Sequence, residues 1–296
     1  MRLLRKAGCS VFDQLCMVGA NFAYGIMYAR ALTISGYGSF SILYALLVLV
    51  ALVHGAAAVE AVCTVNTSKY SDAAEADPSI RQLLLYSIMT CGPVVLFGVA
   101  YAWFFVPATG AKDLVWFVLA SFSSLFYWTA KGLMYRAGKP HVAAYGSLVA
   151  ALVMLGTGFL LKSAISCSPF IGIAVGAVAG GLVVGSKTAS RSVVRFSKLS
   201  GSLIGYARWS VPAAAMVWLL NNLFLFSLNQ TSSIDQVAGF KAATTLLLPI
   251  NQILIGTSLF LLPAWARQHE MNESRTVFSA AAWMAGSGVV LSLVMG

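Results

Sequence analysis

Charge is the scarcest property of this sequence. Only 9% of the 296 residues are charged, whereas 59% are hydrophobic. A soluble globular domain carries about 25% charged residues, so this chain cannot cover itself with a water-soluble surface. Most side chains must face lipid or one another, and several apolar runs reach the ~20 residues that span a bilayer as a helix. The sequence therefore predicts an all-α integral membrane protein.

Residues for metal binding and catalysis are also sparse. The chain has three histidines and five cysteines, and the cysteines are scattered without a C-x-x-C pair. The sequence contains no nucleophile elbow, phosphate-binding loop, paired catalytic carboxylates or metal-ligand spacing. These absences predict a protein that is not an enzyme and that uses no metal or other cofactor.

Apolar runs separated by polar residues, glycine or proline indicate about nine transmembrane helices. Since the chain stops inside the ninth run, we expect either a truncated product or a small second lobe. In the sixth run, Gly172, Gly176 and Gly180 are four residues apart, which predicts close helix packing within the first lobe. The expected spans are 8–31, 37–65, 82–105, 114–131, 141–162, 168–186, 206–229, 236–262 and 276–295.

The distribution of basic residues predicts the orientation in the membrane. With these spans, all but four of the 19 lysines and arginines fall on one side, the exceptions being Arg30, Lys112, Lys162 and Lys241. Basic loops collect on the cytoplasmic side, so we expect a multi-pass protein of a bacterial inner membrane with a cytoplasmic N-terminus. The net charge of +10 is then a topology signal, and no nucleic-acid partner is expected.

The chain contains a faint internal repeat with an offset of about 200 residues. The shift lays "ISGYGSF" (34–40) over "IDQVAGF" (234–240) and Asn21 over Asn221. Span one then falls on span seven and span two on span eight, which makes the halves parallel repeats, a plan found in transporters. The expected domains are a six-helix lobe (1–186), a basic cytoplasmic crossover (187–204) and a partial second lobe of about three helices (205–296).

Two stretches resemble a known transporter family. "ARALTISGYGSF" (29–40) is similar to the pattern AR-x-L-G-x-x-x-YG-x-F between the first two helices of polysaccharide-export and O-antigen flippases. "LVHGAAAVEAVCTVNTSKY" (52–70) looks like the His-x-x-x-x-x-Glu pattern that closes helix two in one subgroup. The family belongs to the multidrug/oligosaccharidyl-lipid/polysaccharide exporter superfamily. Thr33 stands where the family pattern has its glycine.

The resemblance implies a two-lobed transporter whose central cavity opens alternately to either side of the membrane. The implied cargo is an oligosaccharide on a polyprenyl-diphosphate lipid, such as an O-antigen, capsule or exopolysaccharide unit. The lipid bilayer, this cargo and polysaccharide assembly proteins are the implied partners. A cation-coupled exporter of drugs or small molecules and a non-transporting assembly subunit are the alternatives.

Polar residues recur along three of the predicted spans, and such residues are costly in lipid. A sugar would need hydrogen-bonding groups and aromatic faces, so the stripes predict a cavity lining. The alternative is that they hydrogen-bond one helix to another. His54 is open to the same two interpretations. The candidate cavity or substrate-binding residues are Gln14, Asn21, Tyr24, Tyr28, His54, Asn221, Asn222, Asn251 and Gln252.

A few ionisable residues are candidates for coupling and cargo contacts. Asp13 and Glu60 are candidates for exchanging a proton or sodium ion, because burial raises the pKa of a carboxylate. The alternative is that they lie near the cytoplasmic ends and meet water or basic neighbours such as Lys6. Lys131 and Arg208 are candidate contacts for a lipid headgroup, or else anchors that follow the positive-inside rule.

Overall fold

The computed structural model describes residues 2–64, 79–106, 109–161, 168–187 and 196–246, and these ranges are helical apart from short turns. A π-helical segment, Gly55–Val59, joins α2 and α3 into one continuous rod. A ninth helix, α9, begins at residue 234 and is described as far as 246. The other helices are α1 (Arg2–Ala31), α2 (Ile34–His54), α3 (Glu60–Thr64), α4 (Ile80–Phe105), α5 (Ala111–Arg136), α6 (Pro140–Leu161), α7 (Phe170–Gly185) and α8 (Phe196–Thr231).

Several of these helices suit a membrane. Within the described ranges, five are long and apolar enough to cross one by length and composition, namely Ile34–Cys63, Ile80–Phe105, Ala111–Arg136, Pro140–Leu161 and Leu203–Thr231. Helix α7 is equally apolar but has 16 residues, and α1 has 30 residues with a more polar composition. The chain therefore has the helices of a multi-pass membrane protein.

Each of the first seven expected spans contains a helix. The largest difference between the expected and the observed helix bounds is at α8. This helix begins at Phe196, inside the stretch that we expected to be a crossover loop. Leu203 in its first turns is fully buried and belongs to a hydrophobic cluster with residues of α3, α4 and α5. This burial explains why the polar-looking segment is helical. The count of nine spans stays a prediction, because 247–296 lie outside the described residues.

Aromatic rings fill the bundle at the end nearest the α1–α2 turn. Phe40 of α2 and Phe117 of α5 lie 5.4 and 5.8 Å from Phe170 of α7, between ring centroids. Tyr24 and Tyr28 of α1 join them, 4.8 Å apart. Rings at these distances attract one another beyond their burial of apolar area. This end of the bundle is therefore closed.

The glycines of α7 let it pack closely against α5 and α6. A Cβ atom on Gly176 would lie 2.7 Å from the Ala150 carbonyl oxygen and 2.8 Å from the Cβ of Met154. A Cβ on Gly180 would lie 2.7 Å from the Cβ of Ala150. These positions have no room for a side chain, which confirms the close helix packing that the glycine spacing predicts.

The α1–α2 turn and the α8–α9 turn share one local structure, 200 residues apart. In each, a hydroxyl accepts a hydrogen bond from the amide three residues on: Thr33 from Gly36 at 3.2 Å, and Ser233 from Gln236 at 3.4 Å. Such bonds satisfy free amides at a helix start. The likeness agrees with the expected offset at this turn, while the repeat across a whole second lobe stays a prediction.

The two turns also touch each other. A Cβ on Gly38 of α2 would collide with the Ile234 carbonyl oxygen and lie 2.9 Å from the Ile234 Cγ1. Only glycine allows the backbone of α2 to approach α9 so closely. The contact lies at the same end of the bundle as the aromatic rings.

Overfilling the α7 interface should destabilise the bundle. We expect Gly176→Val to cost about 1–3 kcal/mol, because the added methyl groups have no space against α6. The measurement is the apparent melting temperature of the purified protein in detergent. The matched control is Gly156→Val on α6, where a Cβ atom would meet nothing within 4 Å. Equal melting temperatures for the two variants would show that α7 is not packed in this way.

Candidate functional site

A cavity of about 570 Å³ lies among α1, α2, α5, α6 and α7. Its volume is within the ~300–1,000 Å³ that is typical of small-ligand sites. Apolar side chains make up much of its wall. Lys131 is the charged side chain among the described lining residues, and no carboxylate belongs to that lining. The polar and aromatic lining residues are Gln14, Asn21, Tyr44, His54, Ser124, Tyr127, Trp128, Lys131 and Tyr135.

The cavity occupies the half of the bundle away from the α1–α2 turn. Tyr44, the α2 lining residue nearest that turn, is about 15 Å along the helix from Ile34 at 1.5 Å per residue. On α5 the lining begins at Ser124 and ends at Tyr135, close to the end of the helix. The aromatic rings therefore separate the cavity from the α1–α2 turn.

Asp13 of α1 is fully buried beside the cavity and connects three helices. The Lys131 Nζ of α5 lies 2.8 Å from its Oδ2 atom. The hydroxyl groups of Tyr135 on α5 and Ser147 on α6 donate hydrogen bonds to the same carboxylate. The Tyr127 hydroxyl is in turn hydrogen-bonded to Ser147. Asp13 thus has the cation and the donors that a buried carboxylate requires.

His54 is the opposite case, a buried polar side chain without a partner. It ends α2, immediately before the π-helical segment, and is 1% exposed. Neither of its ring nitrogens has a hydrogen-bond partner among the described residues. Its ring stacks on Trp128, with centroids 6.0 Å apart and planes 27° apart. Since most buried polar groups are hydrogen-bonded, this exception calls for a functional explanation.

The polar face expected on α1 divides into two parts. Gln14 and Asn21 line the cavity. Tyr24 and Tyr28 belong instead to the buried aromatic core, and the Tyr24 hydroxyl donates a hydrogen bond to the Pro169 carbonyl. The expected role of these four residues in binding substrate stays a prediction.

The two α8 asparagines predicted to bind substrate form hydrogen bonds to their own helix, and this expected role stays a prediction. The side chain of Asn221 donates to the Val217 carbonyl at 2.8 Å, and that of Asn222 donates to the Trp218 carbonyl at 2.9 Å. Both bonds are within α8, and neither residue lines the cavity. The other two predicted residues of this set, Asn251 and Gln252, lie outside the described residues.

The residues predicted for ion coupling and headgroup binding also lie in different surroundings. Asp13 is buried and paired with Lys131, while the side chain of Lys6, the basic neighbour considered as a partner, lies outside the described part of the chain. Glu60 is exposed at the start of α3. Arg208 is exposed on α8 with its guanidinium 5.3 Å from the Trp209 ring centroid, whereas Lys131 faces the cavity. Ion coupling and headgroup binding stay predictions for all four.

Sequence reasoning missed the contribution of α5 to the cavity. Ser124, Tyr127, Trp128, Lys131 and Tyr135 recur at helical spacing along one face, which is a detectable signal. The expected span ended at 131, so Lys131 was placed at a membrane surface and Tyr135 outside the helix. Because α5 continues to Arg136, both residues lie within the bundle.

Removing Lys131 should destabilise the protein more than removing both members of its pair. We expect Lys131→Met to cost about 3–5 kcal/mol, because it leaves the Asp13 carboxylate buried without a cation. Adding Asp13→Asn should recover much of this loss, since the amide needs no counter-ion. The measurement is the apparent melting temperature in detergent. Lys112→Met, at an exposed lysine near the start of α5, is the control. A double variant less stable than Lys131→Met would contradict the pairing.

Comparison with known proteins identifies no relative. No family model matches the chain, and no curated protein or solved structure matches it. The cavity, its lining and the buried pair therefore have to support any assignment of function.

Proposed function

We propose that the protein is a membrane transporter that moves a lipid-linked oligosaccharide across a bacterial inner membrane by alternating access. The cargo has a sugar part with many hydroxyl groups, a diphosphate and a long apolar chain. This proposal extends the resemblance of residues 29–40 and 52–70 to the flippase family.

The cavity is the observation that carries this proposal. It lies inside a bundle of apolar helices, and its wall combines hydrogen-bonding side chains with aromatic rings. Asn21 and Gln14 on α1 face it together with Trp128 on α5. Polar groups inside a membrane bundle are costly unless they serve packing or a solute, and intramembrane ionisable groups mark transport pathways. A sugar is a solute that uses both kinds of group.

The charge of the lining favours an anionic cargo over a cationic drug. Lys131 is the charged group of the described lining, and the Asp13 carboxylate lies behind it rather than on the cavity wall. An exporter of cationic drugs would place a carboxylate on that wall. A diphosphate instead prefers a lysine or arginine. The lining therefore supports the flippase rather than the drug exporter of the same superfamily.

The ends of the bundle differ in a way that suits alternating access. With the N-terminus in the cytoplasm, the cavity occupies the cytoplasmic half and the aromatic rings close the periplasmic half. The contact between Gly38 and Ile234 lies at the closed end. Release toward the periplasm then requires α2 and α9 to separate at this contact.

The function can be tested by deleting the gene in its organism of origin. We expect loss of surface polysaccharide and accumulation of the lipid-linked oligosaccharide in the cytoplasmic leaflet, because synthesis continues without translocation. Thin-layer analysis of the lipid fraction and its resistance to externally added glycosidase in right-side-out vesicles provide the measurement. The full-length wild-type gene should restore both, and Lys131→Met should not.

Each alternative predicts a different outcome of that deletion. Unchanged surface polysaccharide with increased drug susceptibility would overturn the proposal in favour of the drug exporter. Loss of polysaccharide with cargo already in the outer leaflet would overturn it in favour of an assembly subunit that acts after translocation.

Filling the contact at Gly38 should hold the periplasmic end open. We expect Gly38→Val to prevent α2 from approaching Ile234 and to expose the cavity to the periplasm. In a background without native cysteines, Asn21→Cys reports the accessibility of the cavity. A membrane-impermeant maleimide added from the periplasmic side should label Asn21→Cys at least about fivefold faster when Gly38→Val is present. The reason is that overpacking destabilises the closed state by about 1–3 kcal/mol, which raises the ratio of open to closed protein about fivefold or more.

The matched control for this prediction is Gly19→Val, where a Cβ atom would meet nothing within 4 Å. It should leave the labelling rate at that of Asn21→Cys alone. Equal periplasmic labelling with and without Gly38→Val would show that the turn contact is not part of the gate.

A further inference from the structure

The wall formed by His54 and Trp128 is the part of the cavity that the ion pair and the polar face of α1 do not explain. His54 is 1% exposed, lines the cavity and has no partner for either ring nitrogen among the described residues. A neutral imidazole has one hydrogen-bond donor and one acceptor. Leaving both unpaired in a buried position costs about 1–3 kcal/mol per group. A ligand with hydroxyl groups would satisfy both, because a hydroxyl also donates and accepts.

Trp128 gives this wall an apolar, flat component. Its ring is nearly parallel to the His54 ring, with centroids 6.0 Å apart. This distance is that of two rings in direct contact and leaves no space for a third ring between them. The two side chains therefore form one continuous surface. A pyranose ring fits such a surface, since its C–H face packs on the indole and its hydroxyl edge meets the imidazole.

The surface is held in place by packing between its two helices. A Cβ atom on Gly132 of α5 would lie 3.0 Å from the Val59 Cγ1, so the π-helical segment after His54 packs directly on the turn after Trp128. On its other side, the Ser210 hydroxyl of α8 donates to the Ala56 carbonyl of that segment at 3.0 Å. π-Helical turns frequently occur at functional sites in helices. This one positions His54 opposite Trp128 before any ligand arrives.

The described groups around this wall suit a neutral ring better than a metal ion. Within the described residues, no group of three or more histidines, cysteines or carboxylates is close enough together to hold a metal. The nearest charged lining residue on α5 is Lys131, one turn beyond Trp128, about 4.5 Å along the helix axis. A phosphate at Lys131 and a sugar at Trp128 would then be adjacent, as they are in a sugar diphosphate.

We propose that His54 and Trp128 form a subsite for the sugar that is attached directly to the diphosphate of the cargo, with Trp128 packing on its C–H face and His54 hydrogen-bonding its hydroxyl groups. This subsite rests on the proposed function, because it requires a lipid-linked sugar as cargo. It makes the first sugar, rather than the far end of the oligosaccharide, the part that the cavity recognises.

Binding to two lipids that differ only in this sugar tests the subsite. The probes are polyprenyl diphosphate alone and polyprenyl diphosphate with one glucose, galactose or N-acetylglucosamine, added to the purified full-length protein in nanodiscs. The wild type should bind at least one sugar-bearing lipid about tenfold more tightly than the bare lipid, the gain expected from a hydrogen bond to a previously unpaired group. His54→Leu and Trp128→Leu should each abolish this gain, so that each variant binds the two lipids with similar affinity.

Conservative variants and stability separate binding from folding. His54→Gln keeps a donor and an acceptor, and Trp128→Phe keeps an aromatic face, so both should retain part of the gain. His54→Leu should melt at the wild-type temperature or above it, since it removes an unpaired buried polar group. Trp209→Leu, at an exposed tryptophan of α8, is the matched control and should behave as wild type in every measurement.

The outcomes distinguish failure of the subsite from failure of the proposed function. A wild-type protein that binds neither lipid would overturn the proposed function and the subsite together. A protein that binds the bare and sugar-bearing lipids equally, or whose preference survives both leucine variants, would overturn the subsite alone. A His54→Leu variant that melts well below wild type would show that His54 serves the fold.

Discussion

The bundle depends on how a carboxylate can be kept inside it. A buried carboxylate that loses its cation costs about 3–5 kcal/mol, a large share of the ~5–15 kcal/mol stability of a typical domain. Asp13 avoids this cost through Lys131 and the hydroxyls of Tyr135 and Ser147, which fixes the depth and rotation of α1 against α5 and α6. Because α1 packs along α6, it makes little contact with α2. The cavity lies in the space that remains between α1 and α2. The contacts of Asp13 and the cavity therefore depend on the same position of α1.

The requirement that buried polar groups be hydrogen-bonded also distinguishes the polar residues that serve folding from those that are available for binding. Asn221 and Asn222 donate to carbonyls of their own helix, and the Trp218 indole donates to the Ala45 carbonyl of α2 at 2.7 Å. These groups are satisfied and connect or stiffen helices, as polar residues in membrane bundles often do. His54 differs because it lines the cavity and neither of its ring nitrogens has a partner in the described part of the chain. Satisfaction of hydrogen bonds, rather than spacing along a helix, distinguishes the two kinds of residue.

This difference explains how far the sequence could predict the structure. Apolar runs are long and unambiguous, so the helices of the first seven expected spans could be placed from composition. Helical spacing placed Gln14, Asn21, Tyr24 and Tyr28 on one face of α1. It could not show that the cavity ends before Tyr24, because the rings that enclose the two tyrosines come from other helices. The partner of Asp13 was missed for another reason: Lys131 is 118 positions away in sequence, and only the fold, in which α1 packs along α6, brings the two side chains together.

The contacts of α9 are weaker than those of the Asp13 network, which suits the opening that the proposed transport requires. Breaking the Asp13 network would leave a charge buried, so the side-chain contacts of α1 with α5 and α6 resist separation. The contact of Gly38 with Ile234 is packing alone, and packing contacts are individually weak. Lys241 of α9 lies 5.8 Å from the ring centroid of Tyr44, and Tyr44 lines the cavity. A cation over an aromatic ring contributes about 0.5–2 kcal/mol and holds no fixed hydrogen-bond geometry. A cargo that displaces the Tyr44 ring would therefore weaken the hold of α2 on α9, and so connect occupancy of the cavity to opening at its closed end.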